Sequence, residues 1–167
     1  RRGLPLLLEG LAHALGAEVT VLSRTLRKME DGKRLGADHF YATEDPETFK
    51  RLYGTQDLLI NTVSGDVDFN PYLNTLRLDG SMVLVGVPEK PALVAPFSLI
   101  GARRSLAGSM IGGIRETQEM LHFCSAHNLA ADIEKIPIQY VNEAWDRVVK
   151  GDVRYRFVID IASLRGR

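Results

Sequence analysis

The densest phosphate-binding chemistry in the chain lies between Ser23 and Lys28. Ser23-Arg24-Thr25, then Arg27 and Lys28, place two hydroxyls and three cations within six residues. They follow directly on Val19-Thr20-Val21-Leu22, a β-rich run too short and too branched for a helix of its own. In a nucleotide-binding α/β sheet the ligand sits beyond the carboxyl ends of the strands, and the end of the second strand meets the adenosine ribose. A carboxylate there accepts hydrogen bonds from the 2′-hydroxyl of NAD. Hydroxyls and cations instead suit the 2′-phosphate of NADP. No acid stands in this stretch. A solvated strand end that opens a basic helix would be spelled the same way. These residues alone leave both readings open.

The elements that must position this patch follow from the rest of the chain. Its 167 residues make about one domain, and a hydrophobic share of 45% is enough to bury a core. Basic and acidic residues balance at 21 each. This argues against a general nucleic-acid or anionic-membrane partner, which needs a net positive field. The single cysteine, Cys124, excludes an internal disulfide and a cysteine-rich zinc site, and fits a reduced, cytoplasmic setting. No apolar run is long enough to span a bilayer. Arg1-Arg2-Gly3-Leu4-Pro5-Leu6-Leu7-Leu8 has the outline of a signal peptide, but Glu9 and an amphipathic helix follow at once.

Helix and strand patterns alternate. Helices are expected over Leu6–Leu15, Leu26–Leu35, from Asp45 to near Gly54, and over Phe69–Leu76, Pro96–Ile100, Ile114–His127 and Val141–Lys150. Strands are expected over Val19–Leu22, Asp38–Ala42, Asp57–Val63, Ser81–Val87, Ser105–Ser109, Asp132–Pro137 and Tyr155–Ile161. Asp57–Val63 and Ser81–Val87 are continuously apolar and read as strands buried on both faces, and Asp79-Gly80 reads as the turn between them. The alternation predicts an α/β fold, doubly wound, with a mainly parallel sheet and right-handed crossovers. It shows no internal repeat and no domain boundary, so residues 1–167 are expected to form one domain.

Several runs carry a more specific signal: LGAEVTVLSRT, RLGADH, LINTVS, LDGSMVLVGVPEKP, RRSLAGSMIGGIRETQEML and GDVRYRFVIDI. Together they resemble the Rossmann-type cofactor domain of the zinc-dependent medium-chain alcohol dehydrogenases, most of all the cinnamyl alcohol dehydrogenase branch. The resemblance spans residues 11–164. It implies an NADP(H)-dependent, zinc-assisted interconversion of small primary alcohols and aldehydes, with zinc polarising the carbonyl oxygen. It places 2′-phosphate contacts on Ser23, Arg24, Thr25 and Lys28. Thr62, Val63 and Ser64 match the loop beside the adenosine and its ribose. Val85, Gly86 and Val87 match a strand end at the nicotinamide, and Gly108, Ser109 and Met110 the next segment on that side. Arg154 matches a position close to the cofactor cleft. For Gly86 and Gly108 tight strand packing is the competing explanation, and for Arg154 a surface ion pair.

The chain also departs from the resemblance. The family's zinc ligands belong to an N-terminal, mostly β domain, and the 167 residues contain nothing that matches it. Cys124 matches no zinc ligand. His13, His39, His122 and His127 lack ligand spacing and read as surface or helix-packing residues. No catalytic or metal residue is therefore assigned. The first strand and its glycine-rich turn are missing too, with only Gly3 of Arg1-Arg2-Gly3-Leu4-Pro5-Leu6 as a match. In the order 3-2-1-4-5-6 that strand is central. Its loss is expected either to bring Val19–Leu22 and Leu58–Val63 into direct pairing, or to leave a gap that another segment fills, a second copy being one source of it. The resulting expectation is a cofactor-binding part of an alcohol dehydrogenase that does not turn over alone and forms a homodimer through Val94, Phe97, Leu99 and Ile100. The alternative is a non-catalytic nucleotide-binding or oligomerisation module.

Overall fold

The structure is a computed structural model that describes residues 5–153 and 156–165. Helix α1 (Pro5–Ala14) leads into β1 (Thr20–Ser23). The helix expected next is broken. A 3-10 turn over Leu26–Lys28 ends at Lys28, whose backbone leaves helical geometry (φ −109°, ψ 15°), and α2 runs only from Met29 to Arg34. Then come β2 (His39–Ala42), α3 (Pro46–Arg51), β3 (Gln56–Asn61), α4 (Phe69–Thr75), β4 (Leu76–Leu84), α5 (Pro96–Ile100) and β5 (Ser105–Gly108). The chain closes with α6 (Ile114–Ala126), β6 (Glu134–Pro137), α7 (Val141–Lys150) and β7 (Phe157–Asp160). Helix α3 starts as its sequence dictates: the Asp45 carboxylate accepts the Glu47 N–H at 3.0 Å, and Pro46 fills the first turn.

Every strand pair among the described residues is parallel, as the alternation predicts. The strands fall into three sheets, β1-β2, β3-β4-β5 and β6-β7, instead of one. The expected direct pairing of β1 with β3 is therefore not made. Among the described residues β1 makes its ladder bonds with β2 and β3 with β4, and α2 and α4 pack against those partner strands, so each sheet is held on its own side.

The core lies where α4 meets the middle sheet. Phe69 and Leu73 of α4, with Leu76 and Met82 of β4, form the buried cluster; Leu59 of β3, Leu84, Leu99 and Leu106 of β5 pack around it. The register explains the layer, because Leu59, Met82 and Leu106 align across the three strands. The opposite face carries Leu58 and Ile60, which are 55% and 44% exposed. Strand β3 is thus buried on one face only, against expectation, since no described element covers the other.

Asp79-Gly80 is not a turn. Both lie inside β4, with Asp79 at φ 63°, and the β3–β4 register shifts between Gln56 and Leu58. Between the pairs Gln56–Leu76 and Leu58–Ser81, β4 has three more residues than β3, and these are absorbed as an irregularity of the ladder. Arg103 braces it, giving the Asp79 carboxylate two hydrogen bonds of 2.9 and 2.6 Å. That guanidinium, whose hydrogen bond is the leading cause, holds the Asp79 carboxyl below its ordinary range.

Candidate functional site

Parallel strands deliver their carboxyl ends to the same edge of a sheet. In the middle sheet this gathers the segments after β3, β4 and β5. The Asn61 carbonyl accepts from the N–H groups of both Val85 and Gly86 at 3.0 Å, and the Leu84 carbonyl accepts from Ser109 N–H at 3.0 Å. Thr62-Val63-Ser64, Val85-Gly86-Val87 and Gly108-Ser109-Met110 consequently form one rim. Thr62 and Ser64 are half-buried, whereas Val63, Val85, Val87, Gly108, Ser109 and Met110 are exposed, Met110 at 88%.

The rim contains a residue that sequence reasoning passed over. Asn61 is buried, its side-chain oxygen accepts Val63 N–H at 3.2 Å, and its Nδ2 has no hydrogen-bond partner. A buried amide with an orphan donor at a strand end is uncommon. Asn is an unusual letter in an otherwise apolar strand, and that was the available signal.

Ser23, Arg24 and Thr25 occupy the carboxyl end of β1, in a different sheet from the rim. Thr25 caps the 3-10 turn in extended geometry, with no hydrogen bond from its side chain to the turn. The Ser23 and Arg24 carbonyls accept from Thr43 N–H at 2.7 Å and Glu44 N–H at 3.3 Å. These bonds continue the β1–β2 pairing past the strands themselves. They also bring up an acid that the local sequence lacks: Glu44 Oε1 lies 3.5 Å from Arg24 Nε. A reading confined to residues 23–28 could not see it.

Lys28 is half-buried and, apart from Ser23, Arg24 and Thr25, lines a cleft of about 340 Å³ with Asp31, Glu134, Arg147 and Asp152. Arg147 bridges Glu134 at 2.9 Å and Asp152 at 3.2 Å. The hydrogen bond to Glu134 is the leading cause of its raised pKa. An Arg34–Asp132 pair ties the β6–α7–β7 unit to α2. Arg154 lies outside the described residues.

The histidines have ordinary partners. His13 meets Asp38, His39 meets Glu18, His122 meets Gln118, and His127 meets the Phe123 carbonyl. Among the described residues no group of three His, Cys, Asp or Glu is arranged to hold a metal ion. No helix among them is long and apolar enough to cross a membrane.

Comparison with known proteins places this geometry. The model of a family described as zinc-binding dehydrogenase matches residues 3–126, ending with α6. The NADP-dependent alcohol dehydrogenase C 1 of Mycolicibacterium smegmatis is 59% identical over 155 residues, which are 93% of this chain and 44% of that protein. A cinnamyl alcohol dehydrogenase of Sorghum bicolor superposes with a TM-score of 0.89 at 39% identity, over 95% of this chain and 45% of that one. The cinnamyl alcohol dehydrogenase of Helicobacter pylori, complexed with NADP(H), superposes with a TM-score of 0.77 at 34% identity, over 92% and 44%. The chain thus spans less than half the length of each of these three proteins.

Proposed function

The chain belongs to the zinc-binding dehydrogenase family, and from that premise we propose that it is the cofactor-binding part of an NADP-dependent alcohol dehydrogenase acting on primary alcohols and aldehydes. In this reading residues 1–167 serve as one cofactor-binding domain. One observation carries the proposal: three strand ends of a parallel sheet converge on a rim containing an exposed glycine and a buried amide with an orphan donor. The residues fit a dinucleotide. A Cβ built on Gly108 would have Leu84 O, at 4.0 Å, as its nearest neighbour, so the backbone there is open to a flat ring. Asn61 fixes the course of residues 62–64 through the Val63 N–H. Ser23, Arg24 and Thr25 offer hydroxyls and a cation to a 2′-phosphate.

When bound, NADP(H) supplies or accepts the hydride exchanged with the carbonyl carbon. The residues of this chain bind and orient it. The described residues offer no zinc ligand set, so this span by itself is proposed to bind cofactor without turning over substrate.

A second reading, self-association, has its own support. Of the four apolar residues singled out around α5, Val94 and Leu99 pack against the core, while Phe97 and Ile100 are exposed. Those two are the candidates for a homodimer contact.

Fluorescence titration with NADPH and NADH tests the cofactor assignment. The expected result is tighter binding of NADPH, weakened by Arg24→Gln. Equal affinity for both cofactors, or an NADPH affinity indifferent to Arg24→Gln, would overturn it.

A further inference from the structure

We propose that Glu44 is a specificity-determining residue, a built-in competitor that holds the Arg24 guanidinium when no 2′-phosphate is present and lowers the preference for the phosphorylated cofactor. The inference rests on the reading that residues 23–25 bind the 2′-phosphate.

The geometry is specific to this side chain. Two backbone hydrogen bonds, Thr43 N–H to Ser23 O and Glu44 N–H to Arg24 O, hold the ends of β1 and β2 side by side, which keeps the Glu44 side chain within reach of Arg24. The next acid, Asp45, is occupied in capping α3 through the Glu47 N–H. The ion pair is open to solvent on both sides, with the Arg24 and Glu44 side chains 77% and 62% exposed. An incoming phosphate can therefore reach the same guanidinium. A phosphate and a carboxylate brought to one arginine repel each other, and the carboxylate's hold on Arg24 must be loosened first. The free ribose 2′-hydroxyl of NADH carries no charge and meets no such opposition.

The test is a set of isothermal titrations of the full-length protein with NADPH and NADH at low, fixed salt, for wild type, Glu44→Gln, Arg24→Gln and the double variant. An exposed pair is worth little, so Glu44→Gln should tighten NADPH binding by about 3- to 5-fold. NADH binding should stay within about twofold. In the Arg24→Gln background the same change should have no effect on NADPH. Both exposed variants should melt as wild type does. If Arg24→Gln weakens NADPH binding but Glu44→Gln leaves it unchanged, the competitor is overturned and the pocket stands. If Arg24→Gln has no effect on NADPH, the pocket itself is overturned and the competitor with it. Equal tightening by Glu44→Gln in both backgrounds would also sink the proposal, since the effect would then not pass through Arg24.

Discussion

Gly86 lies directly against the peptide that joins Thr62 to Val63. A Cβ built on Gly86 would come within 2.7 Å of the Thr62 carbonyl carbon and closer still to the Val63 carbonyl oxygen. The crossing is clamped by the hydrogen bond from Gly86 N–H to Asn61 O. Backbone meets backbone here, so tight packing within the chain is reason enough for the glycine. Gly108 differs, since its missing side chain would meet only Leu84 O, at 4.0 Å.

The two glycines are therefore expected to behave oppositely. Gly86→Ala forces the rim apart and should cost about 2 kcal/mol or more, in line with overpacking of a fixed site. Gly108→Ala should leave stability within about 0.5 kcal/mol, while weakening NADPH binding if a ring lies on that backbone. Urea melts and NADPH titration of the two variants check both halves. A Gly108→Ala protein as unstable as Gly86→Ala would contradict the assignment of open space.

Arg104 is buried at the start of β5. Its Nε donates to Leu76 O at 2.8 Å, and its Nη1 donates to Ser98 O at 3.0 Å and Asn74 Oδ1 at 3.1 Å. One guanidinium thus fastens α4 and α5 to the start of β4. Arg104→Met keeps most of the stem but removes these donors from buried acceptors, and should cost about 2–4 kcal/mol. Chemical denaturation gives the figure, and a loss under about 0.5 kcal/mol would show that the carbonyls are satisfied otherwise.

Glu9 is 6% exposed on α1, and its Oε2 has no hydrogen-bond partner. Burial pushes its pKa from the ordinary 4.5 up to about 7, against a smaller downward pull from Lys28. A raised carboxyl pKa means that the folded protein keeps a proton the unfolded chain has lost. Stability should then fall as pH rises from 4.5 to about 7 and remain low above it. The size should be on the order of 2–3 kcal/mol. Melting temperatures across pH 5–8 should show this slope, and Glu9→Gln should flatten it. An unchanged slope in Glu9→Gln would assign the effect to other groups.

Asn61→Leu removes the bond to Val63 N–H together with the orphan Nδ2. Replacing an imperfectly satisfied buried amide by an apolar group of similar size should change stability by no more than about 1 kcal/mol. The segment 62–64 should nevertheless loosen and NADPH affinity drop about 3- to 10-fold. Parallel melting and binding measurements separate the two effects; affinity and stability falling together would make Asn61 a structural residue and no more.

What the sequence determined is what neighbouring residues decide among themselves. The alternation of periods gave helices and parallel strands in the right order. Asp45-Pro46 gave the start of α3, because a cap bonds to an N–H two residues away. The resemblance carried by runs such as LDGSMVLVGVPEKP agrees with a family match over residues 3–126.

Only the tertiary structure decided what depends on distant partners. Asp79-Gly80 has turn letters, yet Arg103 and the β3 ladder hold it inside a strand. Asp57–Val63 is apolar enough to be buried twice over, but a strand's burial depends on what covers it, and no described element covers one face of β3. The patch at Ser23–Lys28 contains no acid, yet parallel pairing carries Glu44 from twenty residues downstream to Arg24. A charge acts through space and not along the chain, so this last relationship could be read only from the fold.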